Sequence, residues 1–255
     1  MIKGLVTILL ILSGALLSGS EDRQSATRGD ATCSSASQCA AIGNEALQRG
    51  RVTSAIRAFR EQVGHAEDSH DTKEIVSAYD NISKAYLIAG DTFRSLAWTN
   101  LALRLASEDT DARKNLKEIE TQQGQLPWPS NFSGVYVQYA GYTWWNSLCI
   151  RQTSKGKMQF QLSVYRMGSN WRSYGPASYG DVKGAASLDD HKEAVYQGDK
   201  DFPSCRIKMS FSQGSVTLGQ DGDCGFGHGA IAEGAYQRIT KTLGSSRDCR
   251  KENLP

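Results

Sequence analysis

The chain lacks the ligand pairings that metal chemistry uses. Its 255 residues include six cysteines and four histidines, but no two cysteines form a CxxC pair and no Cys and His cluster stands at ligand spacing, which argues against the common zinc motifs. A nucleophile elbow, a zincin helix and a paired-cysteine redox motif are absent too, so the sequence motivates neither an enzyme nor a cofactor. His65, His70, His191 and His228 are scattered singly and read as polar surface residues. An excess of one charge is also missing. The chain has 29 basic and 27 acidic residues; setting Lys3 aside leaves 28 minus 27, or +1, which is no footprint for nucleic acid or an acidic membrane. Beyond the N-terminal segment, no run is apolar enough to span a bilayer.

What is present begins with an export signal. Lys3 supplies a positive start, Leu5 to Leu17 is almost unbroken apolar sequence, and Ser18, Gly19 and Ser20 are small residues suited to signal peptidase. Residues 1–20 are therefore expected to be a signal peptide, and its removal leaves no membrane span. A periplasmic or secreted address follows. It makes disulfides the natural reading of the cysteines, with Cys33 expected to pair with Cys39, Cys205 with Cys224, and Cys149 with Cys249.

Residues 21–37 are polar and read as a flexible leader. From Ala40 to Glu67, apolar and small residues recur at helical spacing with a break at Gly50, the pattern of a helical hairpin. A shift of 40 positions superposes Ile42 on Ile82, Leu47 on Leu87, Gly50 on Gly90 and Ile56 on Leu96, and brings Gly43 onto Ser83 and Ala55 onto Ser95. Asp91 is placed to cap the second helix of unit two, and Asp109 or Thr110 to cap a further helix running to about Gln123. The pattern resembles the tetratricopeptide repeat, with Gly43, Gly50, Ala55 and Phe59 at the family's positions in the first unit and Ser83, Tyr86, Gly90, Ser95 and Ala102 in the second. Thr99 departs from the aromatic usual there. The excess over the family's roughly 34-residue period fits a longer loop at Glu67 to Thr72. The resemblance implies antiparallel hairpins over residues 38–124 with a groove for a peptide or protein.

Pro127 and Pro129 mark a linker, residues 125–131, after which the period changes. Met158, Phe160, Leu162 and Val164 alternate with polar residues, as do Cys205, Ile207, Met209 and Phe211. Ser154 to Lys157, Gln213-Gly214 and Asp221 to Asp223 supply turns. Runs near residues 132, 147, 158, 181, 192, 205, 215 and 230 give about eight strands over residues 132–240, followed by a tail, residues 241–255. The fold class expected is α+β in two domains, helical hairpins followed by an antiparallel β-barrel, with a β-sandwich as the alternative. The glycine-rich segment Cys224 to Tyr236 leads into a strand and not a helix, so it reads as a bend and not a phosphate loop. It resembles the last strand of small exported β-domains of bacterial proteins.

Aromatic residues crowd two segments, Tyr139 to Trp145 and Trp171 to Tyr179. Tyr142, Trp144, Trp171 and Tyr174 are the candidate binding surface, because exposed rings offer large contact area at small entropy cost. The function expected is a non-catalytic interaction protein with a protein or peptide partner in the cell envelope. Two alternatives stand beside it. One is a small-ligand carrier. The other is an inhibitor of a cell-wall lytic enzyme, since Ser133-Gly134-Val135-Tyr136 is one residue short of the Ser-Gly-x-x-Tyr loop of bacterial lysozyme inhibitors; a glycan is a further possible partner.

Overall fold

The computed structural model describes residues 33–123, 131–154, 156–212, 214–240 and 254–255. The expected signal peptide, most of the leader, both linker prolines and Cys249 lie outside the described residues.

Five helices come first: α1 (Ala36–Gln48), α2 (Val52–Ser69), α3 (Thr72–Ile88), α4 (Thr92–Leu105) and α5 (Thr110–Gln123). Side-chain oxygens start four of them by accepting from backbone N–H groups that a first helical turn leaves unpaired. Ser35 accepts from Gln38, Asp71 from Lys73, Asp91 from Arg94, and Asp109 from Asp111 and Ala112. The 40-residue echo is visible in the backbone, because α1 and α3 end in the same motif. The Arg51 N–H donates to Ala46 O and the Gly50 N–H to Leu47 O; forty residues on, Asp91 and Gly90 donate to Tyr86 and Leu87 in the same way. Gly50 and Gly90 hold φ of 69° and 76°, left-handed values that glycine reaches without a Cβ clash.

The two hairpins close differently. A Cβ on Gly43 would lie 2.3 Å from the Phe59 ring, so glycine is what lets α1 and α2 approach around an aromatic. In the second hairpin Ser83 stands at the glycine position and leaves less room. The aromatic gives way to Thr99, whose hydroxyl lies 2.6 Å from that of Ser83, with Ser95 also in the bond network.

Residues Glu67 to Ser69 belong to α2, not to a loop, and only His70 and Asp71 separate α2 from α3. The expectation of a longer loop is corrected: the extra length is an added turn of helix. Its two carboxylates, Glu67 and Asp68, face the second half of the molecule.

That half is an eight-stranded antiparallel sheet: β1 (Gly134–Gly141), β2 (Trp144–Ser154), β3 (Lys157–Arg166), β4 (Ser178–Ser187), β5 (Glu193–Gln197), β6 (Arg206–Phe211), β7 (Ser215–Asp221) and β8 (Gly234–Arg238). The order β4-β3-β2-β1-β8-β7-β6-β5 is an up-and-down meander. Its two ends meet through the bridge between Leu188 and Ala194, so the barrel is nearly closed. The last strand starts later than expected, because the preceding residues form a loop fixed by the Cys205–Cys224 disulfide and by the Gly227 N–H donating to Tyr179 O. Cys33 and Cys39 are also bonded to each other. Cys149 is disulfide-bonded.

The barrel interior is filled by alternating side chains, among them Tyr136, Leu148, Phe160, Leu162, Ile207, Met209 and Tyr236. β1 is buried on both sides. Tyr136 points inward, while Val135 and Val137 belong to the helical core along with Trp145, Cys149 and Ile239. The helices therefore pack on the outer face of β1 and β2. Trp98 is the largest side chain there: its ring centroid lies 5.0 Å from that of Trp145 and 5.4 Å from that of Tyr79. Both hydroxyls of Tyr79 and Tyr139 donate to Glu67 Oε1, and the Tyr142 N–H donates to Glu67 Oε2. Burial, reinforced by the Glu67 charge, holds both phenols well above their ordinary range, so they remain donors. Leu254 is buried against the same helices, with its carbonyl accepting from Arg60.

Replacing Glu67 by alanine strands two buried phenols and an N–H, and is expected to cost about 2–4 kcal/mol. Glu67→Gln, which keeps one acceptor oxygen, should cost less. Urea unfolding midpoints of the two variants check this, and equal midpoints would contradict the role given to the carboxylate.

Candidate functional site

The β1–β2 turn and the β3–β4 connection meet at the barrel end beside α2. Tyr142 and Thr143 form the tip of the first with φ of 51° and 64°, the positive pair that a tight hairpin turn requires. Neither is glycine, and the Glu67 carboxylate holds the Tyr142 N–H in place. The second carries α6 (Trp171–Tyr174).

The four candidate residues converge on this end but divide into two roles. Tyr142 and Trp171 stack on each other, with centroids 4.8 Å apart and planes 23° apart. The Arg172 guanidinium lies 4.5 Å from the Trp171 ring centroid and bridges Asp68 and Glu61 at 3.2 Å each, while the Trp171 indole N–H donates to Asp68. A Cβ on Gly64 would sit 2.8 Å from the Trp171 ring, so α2 is bare where that ring lies against it. These residues strap the barrel to the helices.

Trp144 and Tyr174 do not join the strap. Trp144 packs edge-on to Tyr165, with centroids 5.1 Å apart, and Tyr165 lies opposite Tyr179 on the next strand with centroids 6.5 Å apart and planes 27° apart. Tyr174 and Tyr179 are 84% and 63% exposed, a large area for rings to leave in water. On the same outer face the Ser163 hydroxyl donates to Asp181, while Asn146 is buried on the inner side of β2, accepting from the Tyr165 N–H at 2.7 Å and donating to Gln138. Burial, then the charge of Asp181, raises the Tyr165 hydroxyl above its usual value. The arrangement offers ring faces and the Asp181 carboxylate on a rigid sheet. Comparison with protein-family models gives no match, and comparison with curated proteins gives none either.

Tyr165 is absent from the sequence-based candidates, although the alternation of β3 holds its signal: Gln159, Gln161 and Ser163 mark the outer face, and Tyr165 continues it. The neighbour of Trp144 in sequence, Trp145, is 4% exposed and lies in the helix–barrel core. A larger open groove of about 710 Å³ follows the meeting of β4 and β5, but no aromatic side chain lines it.

Adding a methyl group at Gly64 must lift Trp171. Gly64→Ala is expected to cost about 1–3 kcal/mol and to raise acrylamide quenching of tryptophan fluorescence; unchanged quenching and stability would show that the ring does not rest there.

Proposed function

We propose that the chain is a non-catalytic, exported binding protein whose β-barrel engages a protein partner in the cell envelope through Trp144, Tyr165, Tyr174 and Tyr179. The observation that carries this reading is the exposure of Tyr174 and Tyr179 beside a supported row of rings. Tyrosine and tryptophan dominate the centres of protein interfaces because they bury much area while ordering few torsions. The sheet beneath them is already ordered, so binding would cost little further entropy.

In this proposal the helical half is a tetratricopeptide-like scaffold. Its ring-bearing surface is spent on β1 and β2, which leaves recognition to the barrel. Export is supported by the apolar N-terminal sequence and by the disulfides, which fit an oxidising compartment outside the cytoplasm. Among the described residues no helix is long and apolar enough to cross a membrane. The segment behind the inhibitor reading lies in β1 and its approach: the Tyr136 ring is in the barrel core and its hydroxyl donates to Phe132 O. The recognition surface proposed here is the aromatic row instead.

The test is affinity capture from a cell-envelope extract of the source cells. A Tyr174→Ser, Tyr179→Ser double variant that melts like the parent should lose its specifically captured protein by about tenfold or more, as loss of interface hot spots does. Equal capture by parent and variant would overturn the assignment, and so would retention on a glycan matrix with no protein captured.

A further inference from the structure

A second site lies at the start of the helical half and stands independently of the aromatic row. Cys33 precedes α1 and Cys39 sits in its first turn, so the disulfide between them closes across the Ser35 cap. Cys39 is fully buried, whereas Cys33 is partly exposed. Their separation of 6 positions is not the CxxC spacing of common redox motifs, and the sequence alone does not show what faces the bond.

The facing group comes from α2. A ring nitrogen of His65 and the sulfurs of Cys33 and Cys39 all lie within 4.8 Å of one another. The ring is oriented by a 3.1 Å bond between Nε2 and the Cys33 carbonyl oxygen, in which Nε2 donates because a carbonyl only accepts. The first turn of α1 carries no acidic residue, and its backbone N–H groups favour negative charge. Cysteines react readily in such electropositive surroundings, because the thiolate is the form that attacks and departs. The Cys205–Cys224 disulfide is placed differently. Both of its cysteines are buried, and among the described residues no histidine joins its sulfurs in a close group.

We propose that Cys33–Cys39 is a thiol–disulfide exchange site that accepts two electrons from a dithiol partner in the cell envelope. A partner thiolate bonds to Cys33 Sγ, the S–S bond breaks, and its electron pair goes to Cys39 Sγ. The departing thiolate forms beside His65, whose imidazolium charge stabilises it as a neighbouring cation does in reactive cysteine sites. The partner's second thiol then attacks the mixed disulfide and releases Cys33. In the net reaction two electrons and two protons pass to the chain, and the partner leaves as a disulfide.

The experiment places the native full chain in buffers of graded reduced-to-oxidised dithiothreitol ratio at neutral pH, traps free thiols with N-ethylmaleimide and assigns them by peptide mass spectrometry. Cys33–Cys39 is expected to open at a ratio about tenfold or more below that needed for Cys205–Cys224, as labile disulfides do relative to structural ones. His65→Ala should raise the ratio for Cys33–Cys39 by about tenfold, the effect of losing one opposite charge at this range. His65→Gln, which can still donate to the Cys33 carbonyl but carries no charge, should raise it equally. An unchanged ratio for Cys205–Cys224 in the same molecules shows that the variants keep their fold. The proposal is overturned if Cys33–Cys39 opens no earlier than Cys205–Cys224, or if His65→Gln opens at the ratio of the parent.

Discussion

Glu67 stands where two apolar surfaces meet, and the rest of the architecture depends on its being there. A carboxylate in such a place is costly unless donors surround it. Two phenols and the Tyr142 N–H provide them. With this pairing in place, Trp98, Tyr79, Tyr139 and Trp145 can pack in a single cluster, tilted between Tyr79 and Trp98 and edge to face elsewhere, instead of leaving a polar group stranded among rings. The indole N–H groups of Trp98 and Trp145 are buried without a hydrogen-bond partner, and perpendicular ring packing at 90° brings ring edges against ring faces, where such groups are best tolerated.

From this joint the functional geometry follows. By holding the β1–β2 tip, Glu67 fixes Tyr142 beneath Trp171. The strap of Trp171 and Arg172 onto α2 then sets the course of the β3–β4 connection, which carries Tyr174 and leads into Tyr179. The helices thus act on the proposed recognition surface without being part of it. The extra turn of α2 explains itself in the same terms: it provides Glu67 and Asp68, both of which face the barrel.

Local rules made much of this readable in the sequence. Gly50 and Gly90 announce helix ends because left-handed backbone favours glycine, and the alternation of Met158 to Val164 announces a strand because successive side chains point to opposite faces. The Ser83 and Thr99 departures from the repeat pattern proved to be one compensated change, a larger residue facing a smaller one. The cysteine pairings within short loops were readable for a similar reason, as nearby residues have few places to go. Glu67 and Trp98 were not readable. Polar character at Glu67 suggests a loop as much as a joint, and only the approach of β1 gives it phenols to accept from. Trp98 resembles any core residue of an amphipathic helix, and which surface it meets depends on the docking of two halves far apart in sequence.

The account's central claim is that helices and barrel are held as one unit through the Glu67 and Trp98 joint. The most direct measurement is equilibrium unfolding in urea under oxidising conditions, followed at once by far-ultraviolet circular dichroism for the helices and by backbone amide hydrogen exchange resolved to the strands. Coincident transitions with a common midpoint are predicted. A helical transition that finishes while the barrel strands remain protected would contradict it.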